Sequence, residues 1–305
     1  MIPIPRTLGL TPEQVDDLLT TADRAPSRHD NRPWRFHVTS RVIELYSVPE
    51  RALPVADPDG REQRMACGAA LFNLRLALHG HHVRPTVTFF PDRSRPGLLA
   101  VIRHGGTREP TPEQTRLLLA IPAQRFDRRP SGATAVPRNE QHGLRRAALD
   151  EGAWLHVVHD RPERALLRTL VLRAERLQTA DPAFRAELAT WSARSGGVPD
   201  CLPAGADGQE SIEEEPLMAL LTSHLTGTVA EIQVGQALQR VLLTATAAGL
   251  ATTLLRQVVE VPHTREELRR LFSAARPPQA VLRIGWPGAG TPRHGGDVMT
   301  TATVP

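Results

Sequence analysis

The stretch Ala25-Pro26-Ser27-Arg28-His29-Asp30-Asn31-Arg32-Pro33-Trp34-Arg35-Phe36 divides a helical pattern from an apolar run. Ahead of it, residues 11–24 read as a helix: Thr11 caps it, Pro12 suits its first position, and Val15, Leu18, Leu19 and Ala22 form one stripe. Behind it, Phe36–Val38 and Val42–Tyr46 read as two strands joined by Thr39-Ser40-Arg41. Two prolines and two short polar side chains keep the stretch itself out of both helix and strand. Such a loop, held at its ends and presenting polar groups, is a place where a ligand is read.

Working outward, the Pro/Asp-rich segment 56–60 leads into a helix from about Arg61 to Leu78. Its centre, CGAALFNLRLAL, is apolar nearly all round and is expected to be buried. Thr86–Phe90 and Leu99–Arg103 read as strands, and the same order then recurs. A helix near 138–149 precedes Ala153–Val158, which echoes Pro33–Val38 at an offset of 120. Val234–Ala245 echoes Cys67–Leu78 at an offset of 167, with Gly68, Ala70, Leu71 and Leu76 recurring as Gly235, Ala237, Leu238 and Leu243. Ala100–Gly105 recurs as Ala280–Gly285. Three echoes in one order predict two tandem α+β repeats, about 11–106 and 122–290, in domains of 1–121 and 122–305. The repeats should pack as a pseudo-dimer within a monomer, each burying its central helix against the other.

The second repeat carries an insertion. Pro162-Glu163 after Asp160 and Asp181-Pro182 each open a helix, and 193–216 then shows no apolar period. That last stretch reads either as a lid or as plain disorder.

Composition narrows the function. The chain has 305 residues, 40% of them apolar and 23% charged, as in an ordinary globular protein. All 37 basic side chains are arginines among 33 acids, so a net charge of +4 makes no strong positive field. No zinc-finger spacing or aromatic-rich basic stripe is present, and no nucleic-acid partner is expected. No apolar run approaches the roughly 20 residues of a membrane span, and no signal-peptide core opens the chain; a cytoplasmic protein is expected. Cys67 and Cys201 cannot build a disulfide framework or a four-thiolate site. His79, His81 and His82 follow a helix end with no carboxylate or thiolate completing a set, so no metal is expected.

The opening loop resembles the PS-x-x-N-x-Q-P-W loop of the nitroreductase family of flavin enzymes. The fused repeats are similar to its Acg-type actinobacterial branch, in which one chain stands for a dimer. The resemblance implies a nitroreductase-like α+β fold and an FMN cofactor, with NAD(P)H as possible reductant and a nitroaromatic or quinone-like acceptor. It implies ring contacts from Pro26, Ser27, His29, Asp30 and Arg32, with Gln257 and Thr253 from the segment Gly249–Pro262. It implies phosphate contacts from Arg125, Arg128 and Arg129, in a segment similar to the family's RRS-x-R, and from Arg293. These elements are not duplicated, so one complete FMN site is expected and its pseudo-symmetric partner should be vestigial. Asp30 and Arg32 stand where the family pattern has Asn and Gln. An ionised aspartate only accepts hydrogen bonds, so Arg32 either pairs with it to restore a planar unit or meets the flavin's pyrimidine edge. The flavin carries the chemistry, and no catalytic side chain is assigned. Two alternatives stay open: a non-enzymatic protein that sequesters FMN beneath a lid, and a flavin-free member whose site has decayed.

Overall fold

The computed structural model of the chain describes residues 6–124, 134–195, 216–272 and 277–287. The first helix, α1 (Pro12–Ala22), begins as its sequence requires. Thr11 Oγ1 accepts from Gln14 N–H, the Gln14 side chain accepts from Thr11 N–H, and Val15, Leu18 and Ala22 turn inward. The strands β1 (Trp34–Val38) and β2 (Ile43–Ser47) follow, then the central helix α2 (Arg61–Gly80), then β3 (Val83–Phe89) and β4 (Leu98–Thr107). These strands form an antiparallel sheet in the order β1-β2-β4-β3.

α3 (Pro112–Ala120) repeats the capping box of α1, with Thr111 and Gln114 in the places of Thr11 and Gln14. Next come α4 (Arg138–Asp150), β5 (Trp154–Val158), α5 (Arg161–Ala180), α6 (Pro182–Ser195) and β6 (Leu217–Thr222). The second central helix, α7 (Thr228–Ala247), leads to β7 (Ala251–Leu254), the single turn α8 (Gln257–Glu260), α9 (Pro262–Phe272) and β8 (Pro278–Gly285). The second sheet has the order β5-β6-β8-β7, the same relative order as the first. Among the described residues, no helix is long and apolar enough to cross a membrane.

The two halves meet along α2 and α7, which touch through glycine. A Cβ on Gly68 would lie 2.1 Å from the Ile232 carbonyl oxygen, and one on Gly235 would lie 2.0 Å from that of Met65. Each helix also lends a side chain to the other half: Ile232 belongs to the first core and Met65 to the second. Further along, the Gln239 amide donates to Asn73 Oδ1 at 2.9 Å and to Gln124 Oε1 at 2.8 Å, which satisfies polar groups the seam buries.

Two sequence expectations need correction. The strand echo at offset 120 is one residue out of register. Phe36 faces Leu45, which faces Ala100; Leu155 faces Leu221, which faces Ala280. With Ala100 matched to Ala280, Phe36 matches Leu155, and Trp34 and Trp154 fall on opposite faces. Trp34 is buried in the first core, whereas Trp154 packs edge-on against His224, ring centroids 4.7 Å apart. A one-residue slip turns every side chain of a strand to the other face, so a shared tryptophan misaligns the pair. Second, helix α6 extends through 193–195; the rest of the proposed lid up to 215 lies outside the described residues. The segment 257–260 is a single helical turn.

The sheets also differ in cover. Val158, Met218, Leu220 and Val281 pack beneath α5, α8 and α9 as a third core, so the centre of the second sheet is buried on both faces. The corresponding face of the first sheet carries exposed Arg35, His37 and Arg103. That difference explains why β6 reads as a continuous apolar run while β1 alternates.

Candidate functional site

The loop before β1 is folded tightly. His29 and Asp30 have φ of 51° and Arg32 of 42°, a left-handed conformation that costs a non-glycine residue roughly 1 kcal/mol or more. Hydrogen bonds hold it there. Arg32 N–H donates to Ser27 Oγ at 2.9 Å, the Arg51 guanidinium donates to the Arg32 carbonyl at 2.7 Å, and the Asn31 amide donates to the Arg51 carbonyl at 2.8 Å. At the exposed tip, Arg32 grips Asp30 through two bonds of 3.1 and 3.3 Å, so the planar pair is the arrangement adopted.

Beneath the tip, Arg28 turns inward and pairs with Glu260 of α8, both side chains being almost wholly buried. The Arg28 guanidinium also lies 5.4 Å from the Phe184 ring centroid, and Glu260 accepts a second bond from Gln178 at 2.8 Å. This pair joins a loop of the first half to a segment of the second. It encloses a groove whose walls include Asn31, Arg51, Asp57, Glu62 and Arg256, with residual space of about 10 Å³, room for about one water.

Two groups in the groove stand out. Asp57 reaches forward to cap α2, accepting from Glu62 N–H at 3.0 Å and Gln63 N–H at 2.8 Å, because Gly60 at the cap position has no side chain to offer. Burial pushes its carboxyl above the ordinary aspartate range, outweighing those two amides, and Glu62 and Glu260 push the same way. Asn31 Oδ1 is buried without a hydrogen-bond partner among the described residues. An orphaned acceptor in a polar groove marks where a donor belongs.

The insertion covers this place. Phe184 of α6 packs with Leu53 and Ala56, and Glu187 accepts the Val55 and Ala56 N–H groups at 3.0 and 2.9 Å.

Of the residues expected at the site, Pro26, Ser27, His29, Asp30 and Arg32 share the loop, and Gln257 opens α8, whose last residue is Glu260. None of these six is among the groove's lining residues, and Thr253 is farther off, buried within β7 opposite Arg283. Arg125, Arg128, Arg129 and Arg293 lie outside the described residues. The sequence reading missed Arg28, Asn31, Arg51 and Glu260. Only Glu260 left a trace, an acid set in the apolar run Val258-Val259-Glu260-Val261.

The pyrimidine edge of an isoalloxazine presents one N–H donor between carbonyl acceptors. Asn31, Arg51 and Arg256 line one groove and between them carry an acceptor and guanidinium donors, the group types such an edge takes.

No known family profile matches the chain. It is 33% identical over 301 residues to a Mycobacterium tuberculosis H37Rv protein provisionally named NAD(P)H nitroreductase Rv3131, covering 90% of this chain and 85% of that one. It is 27% identical over 300 residues to the provisionally named NAD(P)H nitroreductase acg of the same strain, covering 90% of each. Among solved structures, it is similar to one from Anabaena variabilis ATCC 29413 provisionally described as a nitroreductase. That likeness has a TM-score of 0.54 at 12% identity and covers 81% of this chain and 69% of the other.

Proposed function

This chain belongs to the nitroreductase family, and from that membership we propose that it is an FMN-dependent oxidoreductase using NAD(P)H to reduce a nitroaromatic or quinone-like acceptor. The observation that carries the reading is the junction of loop and α8 at Arg28 and Glu260, with an unsatisfied acceptor, Asn31 Oδ1, beside it. When bound, FMN supplies the redox chemistry, as an acceptor and donor of hydride equivalents.

The residues of the chain bind and orient. Pro26, Ser27, His29 and the Asp30–Arg32 pair form the ring side with Gln257, while Asn31, Arg51 and Arg256 supply polar partners. Arg28 and Glu260 fix the loop against α8. Arg125, Arg128, Arg129 and Arg293 are proposed for the phosphate on the family resemblance. The division into repeats at 1–121 and 122–305, acting as a pseudo-dimer in one monomer, belongs to the same proposal; the matching strand orders and the reciprocal glycine contact support it.

One observation favours a second reading. α6 packs through Phe184 and Glu187 onto the 53–56 segment beside the loop, and the residual space of the groove is about that of one water, which narrows an acceptor's approach. A protein that holds FMN without turning it over would be built this way.

Purified protein supplied with FMN and then anaerobically with NADPH or NADH separates the readings. A flavin absorbance band near one per chain that bleaches within seconds supports the oxidoreductase. A band that persists supports sequestration. Absence of any band would overturn both.

A further inference from the structure

A second cavity, of about 340 Å³, opens where the starts of α7 and β8 meet α9. Its size is at the lower end of small-molecule sites. Its carboxylates are already matched. Glu231 pairs with Arg64, while Glu266 pairs with Arg269 at 2.8 Å and Arg270 at 3.1 Å. Arg61 is matched too, by Glu62 at 2.7 Å and by the Gln279 carbonyl. Arg265 remains. It lines the cavity, is half-buried, and its guanidinium has no acid or hydrogen-bond partner among the described residues. Among the described residues, the cavity therefore holds one uncompensated positive charge partly withdrawn from water, which favours an anion.

The wall beside it adds donors. α7 starts behind Gly227, with φ of 86° and no side-chain cap, whereas α2 has Asp57 for that task. Gly227 and Ala230 both line the cavity, so an anion held by Arg265 lies near the uncapped first turn. The rest of the wall is mixed, with Thr226 and Gln279 polar and an apolar side built from one leucine and three prolines. Pro262, Pro277 and Pro278 contribute rigid surface, and Leu225 stands at the mouth with 49% of its area exposed.

We infer that this cavity binds a small apolar carboxylate, its head on Arg265 and its body against Leu225 and the prolines. The inference needs no flavin, since none of these residues belongs to the proposed ring or phosphate set.

Titration calorimetry of the full chain with benzoate tests it, with neutral benzamide as the isostere and inorganic phosphate as an anion lacking an apolar body. Benzoate should bind saturably, and benzamide and phosphate should each bind about tenfold more weakly. Arg265→Gln should bring benzoate down to the level of benzamide, and Arg41→Gln, on the β1–β2 turn, should change nothing. Leu225→Glu, at an exposed position, should abolish benzoate binding while the far-ultraviolet spectrum stays unchanged. Equal binding of benzoate and benzamide, an Arg265→Gln protein indistinguishable from the parent, or no saturable binding would each overturn the inference. Phosphate binding as tightly as benzoate would overturn the assignment of an apolar carboxylate.

Discussion

Gly68 and Gly235 make the same contact in opposite directions. Gly68 lies against the Ile232 carbonyl and Gly235 against that of Met65, each oxygen belonging to the residue three positions before the opposing glycine. In a two-fold arrangement residue i meets j wherever j meets i. The offset of 167 that relates the glycines in sequence also relates Met65 to Ile232 and Arg64 to its ion-pair partner Glu231.

A methyl group at either glycine has nowhere to go, because the obstruction is backbone on both sides. Gly68→Ala and Gly235→Ala should each destabilise by about 3 kcal/mol or more, helix propensity notwithstanding. Reciprocity adds a sharper expectation: the two losses should match within about 1 kcal/mol, and the double variant should lose less than their sum. Urea unfolding of the three variants measures this. One harmless substitution beside one severe one would refute the symmetric contact.

The Arg28–Glu260 pair is held out of water, so its partners are worth little separately. Glu260→Gln leaves a buried guanidinium without its counter-charge and should cost about 3–5 kcal/mol. Replacing both, as Arg28→Met with Glu260→Leu, should recover most of that loss, because the desolvation of both charges goes with them. Thermal unfolding of the single and double variants decides the matter. A double variant as weak as the single would mean the loop depends on the pair for geometry, through Gln178 and Phe184, and not only for charge balance.

How far these features were legible from sequence follows from the range of the physics behind each. α1 could be read because its cap, proline and stripe lie within a few residues. The burial of α2 could be read because apolar residues surround its axis, and the glycine echo because both helices met the same steric demand. The Asp30–Arg32 pair was likewise a local matter of two opposite charges two residues apart. Arg28 is different. Nothing beside it marks one of 37 arginines for burial, since its partner lies 232 residues away. The tryptophan echo misled for the opposite reason: residue identity matched while the pairing that sets strand faces did not.

Asp57 should leave a signature in the pH dependence of stability. Its folded-state pKa is raised by burial, so the folded chain keeps a proton that the unfolded chain has already released. Stability from this group is therefore full below the ordinary aspartate value of about 4 and is lost as pH rises through the raised folded value. In Asp57→Asn that component should vanish, and the urea midpoint across this window should fall less steeply with rising pH than in the parent. A variant that falls more steeply would contradict the direction of the shift.

The cover over the groove can be loosened without touching the groove. Phe184 is buried against Leu53 and Ala56, while Glu187 is the acceptor for two backbone amides of the same segment. Glu187→Ala removes that acceptor, so the Val55 and Ala56 amides should exchange with solvent about tenfold faster while those of α2 stay protected. Phe184→Ala removes the aromatic anchor, a truncation that costs about 3 kcal/mol or more at a well-packed site, and frees α6 to lift. If the protein sequesters flavin, Phe184→Ala should turn a bound, unreactive flavin band into one that NADPH bleaches, because the chain's barrier to access is α6 itself. If the parent is already reduced within seconds, the substitution should instead speed loss of flavin and leave the bleaching rate nearly unchanged. Hydrogen exchange and anaerobic absorbance on one pair of variants thus read the same contact from two sides. Unchanged exchange at Val55 and Ala56 in Glu187→Ala would show that α6 does not hold this segment shut.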